Sequence, residues 1–287
     1  MTNRFLAQTG AKYPIIQAPM GWIARSQLAS AVCNAGGMGI IETSSGETDM
    51  CKAEIEKMPS LTDAPFGVNL PILFLKDDAM LHYILDSGVK FVTTSAGSPA
   101  KFVGPLQEAG ITVYHAVPTV EAAIRCAEAG VDGLVVEGAE GGGFKNPEEV
   151  STLVLLQAVR AATDLPLVAA GGICDGRGMA AAFALGAEAV QMGTRFVSSA
   201  ESPVHDNYKG AIIDAPTTGT YVLNKKASPC IRALRTKRTH KIHEDGLMPS
   251  DTFAKIKDLY FDGDMEASVG LAGQSAGLIN GVRPVAD

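Results

Sequence analysis

The segment VVEGAEGGGFKNPEEV, Val135 to Val150, sets two carboxylates, Glu137 and Glu140, ahead of three consecutive glycines. Glycine lets backbone approach a ligand closely, and a carboxylate closing an apolar run is out of place in a core. Loops of this kind commonly end on a group that moves protons. This one ends on Phe144, which can neither give nor take one. Two further glycine sites stand out. Gly171-Gly172, in AAGGICDG, precede a helical pattern, and Gly193-Thr194, in QMGTRF, add a hydroxyl donor. Backbone N–H groups at such places can face an anion. Either site alone reads as a tight turn; two of them at adjacent strand ends read as a phosphate cradle. Nothing resembles a Walker loop and no GxGxxG opens the chain, so a phosphomonoester or mononucleotide is expected. Nearby groups suit a flat amphiphilic ring: the backbone at Ala18 and Pro19, the soft side chain of Met20, the single tryptophan Trp22, and the amides of Asn69 and Gln191.

These groups sit at the ends of short apolar runs that alternate with longer amphipathic ones. The runs YPIIQAP, GMGII, PFGVNL, KFVTT, ITVYHAV, DGLVVEG, LPLVAAGG and AEAVQMG predict eight strands. Seven are followed directly by a helical pattern, several of which end in Ala-Gly or Leu-Gly, where a left-handed C-cap suits glycine. Strict alternation with short turns means a parallel sheet, and eight units point to a closed (β/α)8 TIM barrel rather than an open doubly wound sheet. In such a barrel, ligands bind at the C-terminal strand ends, with phosphate at the loops after strands seven and eight. The rhythm breaks after TRFVSSAESP. Residues 199–264 are expected to form a smaller, mainly helical inserted domain, with 1–198 and 265–287 making the barrel. The stretch EASVGLAGQSAGLING reads as helical again.

The 287 residues allow one large domain with an insert. A net charge of −7 with scattered basic residues argues against nucleic acid. RALRTKRTHK, Arg232 to Lys241, is the local exception and reads as a solvated helix face. No apolar run approaches the roughly 20 residues that span a bilayer, and no signal-like stretch opens the chain. Five widely spaced cysteines without CxxC fit neither a disulfide framework nor a zinc site, so a reduced, cytoplasmic protein is expected. His82, His205, His240 and His243 have no metal-ligand company. His115 and Tyr114 are adjacent near a strand end, so only one of the two can face the barrel interior.

The blocks YPIIQAPMGW, NAGGMGII, PFGVNL, VEGAEGGG, AAGGICDGRGMAAAFALGAEAVQMGTRF and AGQSAGLI resemble the FMN-dependent nitronate monooxygenases (formerly 2-nitropropane dioxygenases) and the related FMN-dependent enoyl-ACP reductases. The resemblance spans nearly the whole chain in one order. It implies a barrel with a helical substrate domain and non-covalent FMN. Pro19 and Met20 would lie against the isoalloxazine ring with Ala18 beside them, and Asn69 at its polar edge. Glu137, Gly142 and Gly143 would line the ribityl and ring region. Gly171, Gly172, Gly193 and Thr194 would hold the phosphate, with Ala170, Gln191, Met192 and Gln274 also near the cofactor. Met20, Trp22, His115 and Phe144 are expected in the substrate pocket.

In both branches the glycine-rich loop usually ends on a histidine, and this chain has Phe144. Phenylalanine cannot abstract a proton, which speaks against a nitronate oxidation that begins with a base. Hydride transfer from NAD(P)H through the flavin needs no protein base, because the cofactor carries that chemistry. The expected function is therefore reduction of an activated C=C, a quinone or oxygen, a small-molecule acceptor in each case. Nitronate monooxygenase activity is the alternative, and His115 the substitute base it would call on. A non-redox lyase or isomerase would need a strand-end lysine or acid/base pair, and no barrel strand ends on lysine. A flavin-binding regulator without catalysis rests on Phe144 alone. Self-association as a homodimer is left open.

Overall fold

A computed structural model describes residues 3–287. In chain order, α1 (Arg4–Thr9) precedes β1 (Ile15–Gln17), α2 (Ser26–Asn34), β2 (Ile40–Ile41), α3 (Thr48–Leu61), β3 (Gly67–Pro71), α4 (Ala79–Asp86) and β4 (Phe91–Ser95). Then come α5 (Ala100–Glu108), β5 (Thr112–Val117), α6 (Val120–Glu128), β6 (Gly133–Glu137), β7 (Gly143–Phe144), α7 (Thr152–Ala162), β8 (Leu167–Ala170), α8 (Gly176–Ala184) and β9 (Ala189–Met192). Leaving out β7, these eight strands form one parallel sheet in the order β1-β9-β8-β6-β5-β4-β3-β2. A parallel bridge between Ile16 and Met38 joins the two ends and closes the barrel, through Gln17 N–H to Met38 O (3.0 Å) and Met38 N–H to Ile15 O (2.8 Å). The eight expected runs are these eight strands. Glycines at positive φ end the helices as expected, including Gly36, Gly110, Gly130 and Gly186.

Two cores follow from the two-residue period of the strands. Phe5, Ile16, Met38, Phe91, Tyr114, Val135 and Val168 point inward and fill the barrel. Val68, Val92, Val113, Leu134, Val136 and Val190 point outward and meet the helices. Helix α1, which sequence patterning did not reveal, plugs one end. Its Phe5 packs edge-on against Phe91 and Tyr114, each 6.1 Å away. The Tyr114 hydroxyl donates to Gln8 Oε1 at 2.6 Å. Gly133 lies beside Tyr114 in register, and a Cβ there would overlap the Tyr114 ring. Gly133→Ala should therefore cost about 1–3 kcal/mol, as overpacking does. A denaturant midpoint equal to that of the wild type would show that the ring moves aside freely.

After the short α9 (Thr194–Val197), the insert holds α10 (Asp206–Ile213), β10 (Thr220–Leu223), β11 (Ile231–Leu234), α11 (Lys237–Asp245) and α12 (Ile256–Asp262). Besides these helices the insert carries a hairpin: β10 and β11 are antiparallel, and β11 also pairs with β7 from the glycine-rich loop. The basic stretch divides accordingly. Arg232 is a buried strand residue, donating to Ala139 O, Thr220 Oγ1 and Glu149 Oε1, while exposed Arg235 lies in the turn after β11 and exposed Lys237 and Lys241 belong to α11. The C-terminal stretch is no α-helix either. Its glycines favour open backbone over helix, and only a 3₁₀ turn forms, Gln274–Leu278. Among the described residues no helix is long and apolar enough to cross a membrane.

Candidate functional site

One cavity of about 980 Å³ opens at the C-terminal mouth of the barrel. Strand parity decides which side chains reach it. Asn69, Glu137, Ala170 and Gln191 share the inward phase and line it; so do Ala18, Pro19, Met20 and Trp22 from the loop after β1. Met192 stands one residue beyond Gln191, so its side chain faces the helices and packs in the outer core, correcting its assignment to the cofactor. Gln274 is likewise exposed outside the cavity, which its neighbours Gly273 and Ser275 line instead.

The anion cradle is built differently from the sequence expectation. Helix α8 does not offer its N-terminus, because Asp175 Oδ1 already accepts from Arg177 and Gly178 N–H. What remains is the loop itself. Gly171 and Gly172 hold φ of 97° and 74°, and the N–H groups of Gly172, Ile173 and Gly193 have no acceptor among the described residues. Gly171 has a packing reason as well: a Cβ would sit 2.9 Å from Thr152 Oγ1. Gly193 has none. A Cβ there would find only Ala18 Cβ and Met20 Sδ, both at 3.6 Å, and otherwise the cavity. Thr194 Oγ1 accepts from Gly273 N–H at 2.9 Å and keeps its own proton to donate. Free N–H groups, an open glycine and a hydroxyl fit a phosphate monoester.

Asn69 is 3% exposed, and its amide nitrogen donates to Thr93 O (3.1 Å) and Thr93 Oγ1 (3.0 Å). That fixes which end of the amide stays free: the carbonyl oxygen, with Ser95 Oγ only marginally close at 3.5 Å. Thr93 and Ser95 are inward residues that the alternation of β4 could have supplied. The two flagged carboxylates have different tasks. Glu140 accepts from Thr152 N–H (2.8 Å) and Thr152 Oγ1 (3.0 Å), tying the loop to the start of α7. Glu137 faces the cavity and is paired with Lys145, which no sequence pattern singled out. Gly142 approaches the C-terminal segment so closely that a Cβ would lie 2.6 Å from the Ala272 carbonyl carbon. Together with a free amide oxygen and the Met20–Trp22 wall, this donor set fits the pyrimidine edge, ring and phosphate of FMN.

Phe144 is 45% exposed and lies on the cavity wall. Its ring meets Phe74 at 5.2 Å and Phe253 at 6.4 Å, so three segments of chain contribute to one aromatic surface. Gly143, just before it, takes φ of 80°. Tyr114 takes the inward direction and His115 faces outward, its Nδ1 2.7 Å from Thr94 Oγ1. Burial pushes its pKa down to about 4, so the ring is neutral at pH 7. It is nevertheless among the residues lining the cavity, with Gly97 and Arg125 of α6. No group of three or more potential metal ligands occurs among the described residues.

A family model described as nitronate monooxygenase matches residues 3–82 and 73–287. The chain belongs to the nitronate monooxygenase family. This is a family of FMN-dependent oxidoreductases, and the cavity's donor set agrees with that cofactor. A nitronate monooxygenase of Pseudomonas aeruginosa is 36% identical over 258 residues, covering 74% of each chain. A Mycobacterium tuberculosis protein named as a dehydrogenase of (3aS,4S,5R,7aS)-5-hydroxy-7a-methyl-1-oxo-octahydro-1H-indene-4-carboxyl-CoA is 36% identical over 236 residues. That match covers 81% of this chain and 66% of the relative, so the chain spans about two thirds of its length. The solved structure of FabK from Thermotoga maritima superposes with a TM-score of 0.95 at 38% identity, covering 100% of this chain and 93% of the other.

Proposed function

We propose that this family member is an NAD(P)H-dependent FMN oxidoreductase that reduces a flat, apolar acceptor, either an activated C=C or a quinone, with oxygen as the default acceptor. One observation carries the reading: the loop that would present a proton-transfer group presents Phe144 instead, within an aromatic wall shared with Phe74 and Phe253. Bound FMN would supply hydride transfer. The chain then has to bind, orient and shield. Gly172, Gly193 and Thr194 hold the phosphate, Asn69 offers its carbonyl oxygen to a ring N–H, and Met20 with Trp22 excludes water from one side. The phenyl rings receive an uncharged, planar partner more readily than a nitronate anion, since they offer no opposite charge and no strong donor. Likeness to FabK, an enoyl-ACP reductase, and to a dehydrogenase of a cyclic acyl-CoA supports an acceptor of the thioester class. Five free cysteines, four of them buried, suit a reducing, cytoplasmic setting.

Nitronate monooxygenase is the second reading, favoured by the family match itself. One anaerobic titration separates the two. The purified protein should be yellow, should release FMN and not FAD on denaturation, and should lose its visible flavin absorbance when NADH or NADPH is added. A flavin that bleaches only with alkyl nitronate, and with neither nucleotide, would favour the second reading. A colourless protein that cannot be reconstituted with FMN would remove both.

A further inference from the structure

Glu137 and Lys145 form the one ion pair, among the described residues, whose two side chains both line the cavity. Lys145 keeps only 4% of its side chain exposed, against 32% for Glu137. An ammonium buried that deeply is costly unless a partner compensates it. The surrounding backbone is shaped for the pair. A Cβ on Gly141 would lie 2.5 Å from Glu137 Oε1 and 2.9 Å from Lys145 Nζ, so only glycine lets the two groups meet. Lys145 N–H donates to Cys230 O at 2.9 Å, which fixes the lysine to the insert right beside the β7–β11 pairing. Glu137 Oε1 takes the lysine, and Oε2 makes no hydrogen bond to any described residue.

We propose that Lys145 is a positioning and charge-setting residue of the cofactor site. Its ammonium orients Glu137 so that Oε2 can accept from a hydroxyl of FMN, and cancels the carboxylate's charge beside the ring. The proposal rests on the FMN reading. In this wall the pair is neutral; without the lysine, a lone negative charge would act over several ångströms with little screening. Because two-electron reduction adds negative charge to the flavin, that lone carboxylate weakens binding of the reduced form more than of the oxidised form. The midpoint potential then falls.

The test measures FMN affinity of the apo-protein by fluorescence titration and the midpoint potential of the holoprotein against reference dyes. In Lys145→Met, the affinity of the reduced form relative to the oxidised form should fall at least about tenfold, a downward shift of about 30 mV for a two-electron couple. Glu137→Gln combined with Lys145→Met removes both charges and should bring the potential back toward the wild-type value. Gly141→Ala keeps both groups and forces them apart, so it should shift the potential in the same direction. Should Lys145→Met fail to fold, that variant and the double variant decide the matter. FMN held at an unchanged potential in Lys145→Met, or in Gly141→Ala where the former does not fold, overturns the proposal. Wild type that binds no FMN overturns the cofactor reading as well, which distinguishes the two failures.

Discussion

Phe144→His should raise turnover of neutral nitroalkanes by about 10²-fold or more, within the 10²–10⁴ range typical of a general base. The position suits the gain. Phe144 is half-exposed on the cavity wall, and its backbone is held by pairing with Ile231 of β11. An imidazole there would keep a pKa near its unperturbed value of about 6.5. The active form is neutral imidazole, so the gain is full above that pKa and fades as pH falls through it. Oxidation of NAD(P)H should change much less, since no protein base enters that step. Affinity for a flat acceptor should drop with the loss of the ring contacts to Phe74 and Phe253. Both activities, followed across a pH series in wild type and variant, provide the check. Robust nitroalkane or nitronate turnover by the wild type would show that Phe144 is no handicap and would reverse the order of the two functions.

Gly193→Val should reduce FMN affinity by at least about 100-fold, since it combines steric occupation of the phosphate position with the loss of charge-assisted hydrogen bonds, each worth ~1.5–3 kcal/mol. The fold itself should hardly notice. Gly193 has a negative φ, −105° with ψ −70°, so no left-handed conformation demands glycine, and the nearest atoms to an added Cβ are 3.6 Å away. The outcome thus separates ligand loss from misfolding: apo-like absorbance with an unchanged thermal midpoint. Full FMN occupancy in the purified variant would mean that phosphate sits elsewhere.

The barrel was legible because its strands are apolar on both faces and its helices close on glycine; those signals are local. The site was legible where it followed strand ends, as at Asn69, Glu137 and Gln191. Met192 was expected at the cofactor as part of a block that carries no parity, whereas the two-residue period of β9 turns its side chain away from the face of Gln191. The alternation also places Tyr114 inward and His115 outward once α1 is known to fill the barrel's far end. Gln274 came only from the resemblance, and the 3₁₀ turn there puts Gly273 and Ser275, rather than its side chain, on the cavity. Strand β7 left no readable sign. Two residues among glycines become a strand only by pairing with β11, which lies far along the chain. Nor do TYVL at Thr220 and IRAL at Ile231 alternate, since both faces of β11 are buried, so the insert's hairpin had no period-two signal. Lys145 and Phe253 join the cavity only through that tertiary arrangement.

The same sheet has an evolutionary consequence. Because Phe144 and Gly143 are the edge strand of the insert's own sheet, the glycine-rich loop and the insert cannot be inherited or exchanged separately. A chimera that imports residues 199–264 from a relative would strip β7 of its matched partner and leave Lys145 without the Cys230 carbonyl that anchors it. Retargeting the enzyme to another acceptor therefore calls for moving 138–150 together with the insert, as one cassette. In this architecture, drift in the aromatic wall and drift in the insert are expected to be correlated, while the glycine loops after β8 and β9 stay free to remain as they are.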